Sequence, residues 1–207
     1  MVAAERVLSQ RELNRALLAR QCLLERRRLT VPRALERIGG IQAQYAPSSY
    51  VGLWSRLDGF RREDLDRALV RRQVVQATLM RATIHLVSAR DFWLLAEAVR
   101  GPRREWFLRV QQTGLTEAEL RAAAATADRA LATGPLRQTE LEEVVGPRAR
   151  SAVGMFLDLV RVPPSGTWAQ RRADLYGRAV DWLGERQVVH EEAVEHAVRR
   201  YLAAFGP

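Results

Sequence analysis

The chain has no lysine; all 33 of its basic residues are arginine. Asparagine occurs once and isoleucine three times, the residue usage of a GC-rich coding sequence. Arginine content alone therefore overstates a case for phosphate binding. A single cysteine, Cys22, excludes an internal disulfide framework and fits a reducing cytoplasm. Its place in a helical pattern reads as a small core residue. No uncharged apolar run approaches the ~20 residues that span a bilayer, so no membrane span is expected. The first twenty residues carry Glu5, Arg6, Arg11, Glu12 and Arg15 and no apolar h-region, so a signal peptide is not expected. His85, His190, His196 and Cys22 offer no pair at i, i+4 or C-x-x-C spacing, which argues against a metal site. Glycine-rich phosphate loops and G-x-S-x-G elbows are also missing.

What is there begins with charge. The formal net charge is +9 and the sequence pI about 11.1, which favours polyanionic partners, nucleic acid first and an anionic membrane second. At 207 residues, 47% hydrophobic and 28% charged, the chain is an ordinary globular length and composition for one large or two small cores.

Helical periodicity dominates. Residues 9–25 carry Leu13, Leu17, Leu18 and Leu24 at helical spacing, with Ser9 and Glu12 forming a capping box. A second helix starts at Val31-Pro32 and is expected to run to Gln44. Shorter helical segments follow at 48–57 and 61–72. Two β-rich segments, 74–79 and 82–87, flank Met80-Arg81 as a hairpin. Ser88 then caps a helix with Asp91 in its first turn, interrupted at Gly101-Pro102. After a boundary near 108–116 the order repeats. Thr116 and Glu119 cap a helix to about Ala132, the segment 134–141 opens a short helix that ends at Gly146-Pro147, a third helix covers 148–159, and Pro163-Pro164-Ser165-Gly166 turns between two possible strands. A last helix spans about 191–205. The expected fold is mainly α with short β-hairpins, arranged as tandem winged-helix units over residues 1–110 and 111–207.

One stretch departs from this patterning, Ile38-Gly39-Gly40-Ile41-Gln42-Ala43-Gln44-Tyr45-Ala46-Pro47. Leu35, Ile38, Gln42 and Tyr45 fall at i, i+3, i+7 and i+10, so a continuing helix places Gln42 on its buried stripe. A buried carboxamide without partners costs about 1–3 kcal/mol. Gln44 lies ~200° around such a helix, and the two amides converge only if the helix loosens. Gly39, Gly40 and the bias that Pro47 imposes on Ala46 favour that loosening. The competing reading is a glutamine pair at a fraying helix end.

Other positions carry two readings each. Arg81, in the hairpin turn, could reach phosphate or a minor groove, or simply be solvated. His85 shares strand parity with Arg81 and Thr83, and reads either as a DNA contact or as a half-buried histidine bonded to backbone. Asp91 could pair with His85, although a first-turn acid usually complements the helix dipole. Trp54 is expected in the core, and His190 and His196 on the surface. The doublets Arg61-Arg62, Arg71-Arg72, Arg103-Arg104, Arg171-Arg172 and Arg199-Arg200 are expected on solvated faces, where several together could line a DNA channel.

Taken together, Ile41-Gln42-Ala43-Gln44, Val51-Gly52-Leu53-Trp54-Ser55-Arg56-Leu57 and Met80-Arg81-Ala82-Thr83-Ile84-His85-Leu86-Val87 resemble the winged helix DNA-binding domain-containing family. Arg161-Val162-Pro163-Pro164-Ser165-Gly166-Thr167-Trp168, Asp181-Trp182-Leu183-Gly184 and the segment from Arg200 to Pro207 resemble it too. The characterised members of that family are AlkZ-like and YcaQ-like bacterial DNA glycosylases. The resemblance implies tandem winged helices around double-stranded, damaged DNA and a catalytic glutamine–apolar–glutamine motif at Gln42 and Gln44. An aspartate at the second position marks YcaQ-like members, so Gln44 places the chain nearer the AlkZ-like branch. It further implies excision of N7-alkylated purines, including unhooking of interstrand crosslinks, with neither metal nor organic cofactor. Arg81, His85 and the second hairpin with Ser165, Arg171 and Arg172 are then the expected DNA contacts. A monomer in the bacterial cytoplasm, associated with the nucleoid, is the matching expectation. Members of the family continue into a further winged helix after the Ala-Phe-Gly-Pro segment, so a third unit is expected beyond Pro207. The alternative is a non-catalytic winged-helix DNA-binding protein or transcriptional regulator.

Overall fold

The computed structural model describes residues 7–110 and 113–206. Ten α-helices and six short strands are found among them. Helix α1 (Gln10–Arg20) starts at the expected Ser9–Glu12 box, in which the Ser9 hydroxyl accepts the Glu12 N–H and Glu12 accepts the Ser9 N–H. It buries none of its residues. Helix α2 (Val31–Ile38) has Pro32 in its first turn and ends at Ile38, six residues before the expected Gln44, with Gly39 as its C-cap. Gly39 takes the left-handed conformation at φ 76° and Gly40 follows at φ 85°. Side-chain-bearing residues disfavour both positions. A Cβ on Gly40 would also stand 3.0 Å from Val87 Cγ1 and 3.1 Å from the Leu86 carbonyl. The glycine pair thus turns the chain out of the helix and lets it lie flat against the next strand. The helical stripe through Gln42 does not exist; Ile41–Gln42 is strand β1.

Helices α3 (Ala46–Trp54) and α4 (Arg62–Val70) lead to β2 (Val74–Thr78) and β3 (Ile84–Ser88). A 3-10 turn at Met80–Ala82 joins these strands, with Arg81 and Ala82 both at positive φ. Ser88 Oγ accepts the Asp91 N–H at 3.1 Å and opens α5 (Ala89–Val110). This helix does not break at Gly101-Pro102. Leu95 and Ala96 are buried before the proline and Arg103 and Phe107 after it. Packing on both sides overrides the local break signal.

The rest comprises α6 (Glu117–Leu131), β4 (Leu136–Arg137), α7 (Gln138–Val145), α8 (Pro147–Phe156), β5 (Leu159–Arg161), β6 (Leu175–Arg178), α9 (Ala179–Leu183) and α10 (His190–Phe205). The expected Thr116–Glu119 box is present at the start of α6. Of the expected boundary at 108–116, Gln111 and Gln112 lie outside the described residues.

All six strands form one antiparallel sheet in the order β1-β3-β2-β5-β6-β4. The two hairpins meet edge to edge, with Gln76 opposite Arg161 and Ala77 opposite Val160. Alternation sorts β2 between two cores. Val74 joins Leu35, Leu53, Leu65 and Leu86 on one face. Val75 and Ala77 join Val87, Phe92, Leu95 and Val160 on the other. Two smaller clusters, around Phe107, Leu120 and Ala152 and around Leu131, Leu141 and Val153, hold α6, α7 and α8 together.

Helix α10 is tied back by polar anchors. Asp91, 3% exposed, pairs with Arg200 Nε at 2.8 Å and with His196 Nε2 at 3.1 Å. Asp91 therefore belongs to a helix–helix junction, not to His85, and His196 is a bridge where a free surface histidine was expected. Gln21 Nε2 adds a bond to the Ala204 carbonyl at 3.0 Å. Trp54 departs from expectation as well. It is 55% exposed, with the Arg26 guanidinium 4.2 Å from its ring centroid.

Candidate active site

The Gln42-Ala43-Gln44 segment is an extended edge whose register is set by β3. Ile41 pairs with Leu86 and Gln42 with His85. The Ala43 N–H donates to the Ile84 carbonyl at 2.7 Å, and the Ile84 N–H donates to Gln44 Oε1 at 2.8 Å. A side-chain carbonyl thus takes the rung that backbone would supply. Ala43 is buried in the core while Gln42 and Gln44 are exposed, so both amides leave the segment on the opposite side from Ala43. Strand parity achieves what a continuous helix could not. The oxygen of Gln44 is committed to a main-chain donor, which leaves its NH2 group as the outward donor. Gln42 makes no side-chain hydrogen bond among the described residues, so its carbonyl and amide are both available.

Around this edge the structure gathers some of the expected residues and withdraws others. Arg171 comes 126 residues later in the chain, yet its Nη1 donates to Tyr45 Oη at 3.2 Å, beside Gln44. Its guanidinium also lies 5.9 Å from the Trp168 ring centroid. The long β5–β6 connection that presents Arg171 is held on α3: Tyr50 donates to Asp66 Oδ1 at 2.5 Å, accepts the Trp168 N–H at 3.1 Å, and packs edge-on against the Trp168 ring. Burial and the bond to Asp66 push the Tyr50 phenol well above its ordinary pKa, so it stays protonated and donating. On β2, Gln76 Nε2 donates to the Gly166 carbonyl at 2.9 Å, a second tie between that loop and the first hairpin.

His85 is 5% exposed. Its Nδ1 lies 3.0 Å from the Thr83 carbonyl, which can only accept, so the Nδ1–H tautomer is set. Burial depresses its pKa, the Thr83 bond partly opposes this, and the nearby Arg81 charge adds to the depression. His85 is thus a neutral residue directly across from Gln42, the backbone-bonded histidine of the two sequence readings and more enclosed than the DNA-contact reading asks. Arg81 stands exposed at the hairpin tip and forms no ion pair among the described residues. Its left-handed backbone breaks the strand parity expected with Thr83 and His85. Arg172 is exposed, with Nε 3.1 Å from Asp174 Oδ2. Ser165 faces inward. Its hydroxyl accepts the Asp174 and Leu175 N–H groups at 2.8 and 3.0 Å and donates to the Arg172 carbonyl at 2.8 Å. That makes it a staple of the loop that carries Arg171. Among the described residues no group of three acidic, histidine or cysteine side chains could hold a metal ion.

A family model described as DNA glycosylase AlkZ-like matches residues 35–207. The chain belongs to this family. The AlkZ-like match includes both glutamines and both hairpins. Among solved structures, the DNA glycosylase AlkZ of Streptomyces sahachiroi is similar at 18% identity and a TM-score of 0.79, over 98% of this chain and 58% of that one. At that identity the likeness shows a shared fold, and this AlkZ-like chain spans a little over half the length of its structural relative. Comparison with curated proteins returned no match. No helix among the described residues is long and apolar enough to cross a membrane.

Tyr45, Tyr50 and Trp168 are the site residues that sequence reasoning missed. Tyr45 looked like the end of a helical stripe, and nothing in linear spacing links it to Arg171. The clustering of Trp168 with Arg171 and Arg172 was the available signal.

Proposed function

We propose that this AlkZ-like chain hydrolyses the N-glycosidic bond of N7-alkylated purines in duplex DNA, with Gln42 and Gln44 positioning the attacking water. The observation that carries the reading is the asymmetric pair itself, one amide clamped by the Ile84 N–H and the other free, side by side on an open edge. Alkylation at N7 makes the base cationic. When the C1′–N9 bond breaks, its electron pair passes to N9 and the base leaves neutral. Water adds to the oxocarbenium carbon and releases a proton to solvent. Such a reaction needs orientation and hydrogen-bond stabilisation more than a strong base. The free Gln42 carbonyl accepts from the water, and the Gln44 NH2, fixed through its own carbonyl, defines where that water sits. Neutral amides suffice because the substrate brings its activation.

The exposed position of both glutamines suits a bulky or crosslinked base, which cannot be flipped whole into a closed pocket. Unhooking of interstrand crosslinks follows as the extended form of the same reaction. Arg81 at one hairpin tip and Arg171 on the other loop supply cations for the phosphates that flank the lesion. Incubating methylated duplex DNA with the protein should release free N7-methylguanine, and the double variant Gln42→Ala, Gln44→Ala should abolish release while keeping salt-dependent DNA affinity. DNA binding without base release by the parent protein would mark a non-catalytic DNA-binding protein instead.

A further inference from the structure

Two arginines unconnected with the glutamine edge are more than nine-tenths buried, Arg103 on α5 and Arg161 on β5. Their head groups converge on one residue. Arg161 Nη1 donates to Thr78 Oγ1 at 2.9 Å, and Arg103 Nη1 donates to the Thr78 carbonyl. Neither forms an ion pair among the described residues, and the Nε–H of each lacks an acceptor. Both line a largely enclosed cavity of about 90 Å³, together with Gln138, Arg150, Ser151 and Tyr176. None of Gln42, Gln44, Tyr45 or Arg171 lines it.

The charge in this cavity does not balance. Its one carboxylate, Asp158, pairs with Arg100 Nη2 at 2.7 Å; because Arg100 is also held by Glu97, Asp158 eases the Arg103 charge as well, and no carboxylate among the described residues acts on Arg161. Arg150 is held by Glu142 at 3.2 Å. Guanidinium groups keep their proton at any ordinary pH, so Arg103 and Arg161 stay cationic although burial works against the charge of both. Two buried like charges that are one counter-charge short are strongly unfavourable. The Arg161 guanidinium does lie 5.0 Å from the Tyr176 ring centroid, which eases one charge and leaves its Nε–H unbonded.

We propose that this cavity binds one small tetrahedral oxyanion of the phosphate class as the counter-ion of Arg103 and Arg161. The cavity is more enclosed than open, is large enough for a small oxyanion, and shares no lining residue with the glutamine edge, so the source is free inorganic anion and not the DNA backbone. Fork-shaped guanidinium donors match tetrahedral oxyanions in pairs of hydrogen bonds. Thr78 and Arg103 come from the first half of the chain, and Gln138, Arg150 and Arg161 from the second. The bound anion locks the junction where β2 meets β5.

The test is titration of the protein with inorganic phosphate in a chloride buffer at constant ionic strength, followed by thermal unfolding and by calorimetry. Saturable binding at one site per chain is expected, with Tm raised by about 5 °C or more at a hundredfold excess over Kd. Arg161→Gln, or Arg103→Gln if the first variant does not fold, should weaken phosphate binding at least tenfold. Saturating duplex DNA should leave the stoichiometry at one. Equal effects of phosphate and chloride, absence of calorimetric saturation, or displacement of phosphate by duplex would each overturn the assignment.

Discussion

Replacing Gln44 separates its bond to Ile84 from the water-positioning role proposed for it. In Gln44→Ala the Ile84 N–H loses its only side-chain acceptor, the 2.8 Å bond that closes the β1–β3 edge. Ile84 is partly exposed, so water can replace the lost carbonyl, and the expected destabilisation is about 1 kcal/mol, the net worth of one such bond. With a urea m-value of about 2 kcal/mol/M, the unfolding midpoint should fall by roughly 0.5 M. Gln44→Glu keeps an acceptor of the same reach toward Ile84 and replaces only the outward NH2. Its midpoint should return to within about 0.2 M of the parent, while base release stays impaired because the donor that fixes the water is gone. Urea melts of the three proteins, run beside a single-turnover excision assay, make the comparison. If Gln44→Glu is as unstable as Gln44→Ala, or if Gln44→Ala is as stable as the parent, the bond to Ile84 does not anchor the motif. If Gln44→Glu excises at the parent rate, the outward NH2 has no part in positioning water.

Gly40→Ala places a side chain at φ 85°, against Val87 and the Leu86 carbonyl, and should cost about 2 kcal/mol by denaturation, with loss of excision greater than loss of DNA affinity. Ser165→Ala removes three main-chain hydrogen bonds inside the loop that carries Arg171, so it should lower stability by about 1–3 kcal/mol; unchanged stability with weakened DNA binding would restore it as a surface contact. His85 has a depressed native pKa, so between that value and about 6.5 the unfolded chain binds a proton that the native chain does not. Its contribution to stability is therefore full above about pH 6.5 and falls as pH drops through that value, and melts from pH 7.5 to 5.5 should be less steep in His85→Gln.

The helices were legible because their caps and apolar spacing are local. Ser9 with Glu12, Thr116 with Glu119, and Ser88 before Asp91 all stand where spacing put them. The end of α2 was misread because the stripe Leu35, Ile38, Gln42 outweighed Gly39-Gly40, whose left-handed turn is what makes the site. Gln42 and Gln44 were visible as oddities, but their convergence comes from pairing with β3, a contact some 40 residues away that periodicity cannot show. The same limit hid the Arg171–Tyr45 bond and the ion pairs of Asp91. Doublets read as solvated faces split in the fold: Arg103 is buried, Arg104 lies 4.8 Å from the Phe156 ring centroid, and Arg200 is held by Asp91. Charge counted along the chain says nothing about which member of each pair reaches solvent.

The most direct measurement is the release of free base from N7-methylated duplex DNA by the parent protein, Gln42→Ala and the Gln42→Ala, Gln44→Ala double variant, each first shown to bind the duplex. Release by the parent, slowed at least a hundredfold in both variants at unchanged affinity, is the expected result for a water placed by these amides. Release at the parent rate by the double variant would contradict it.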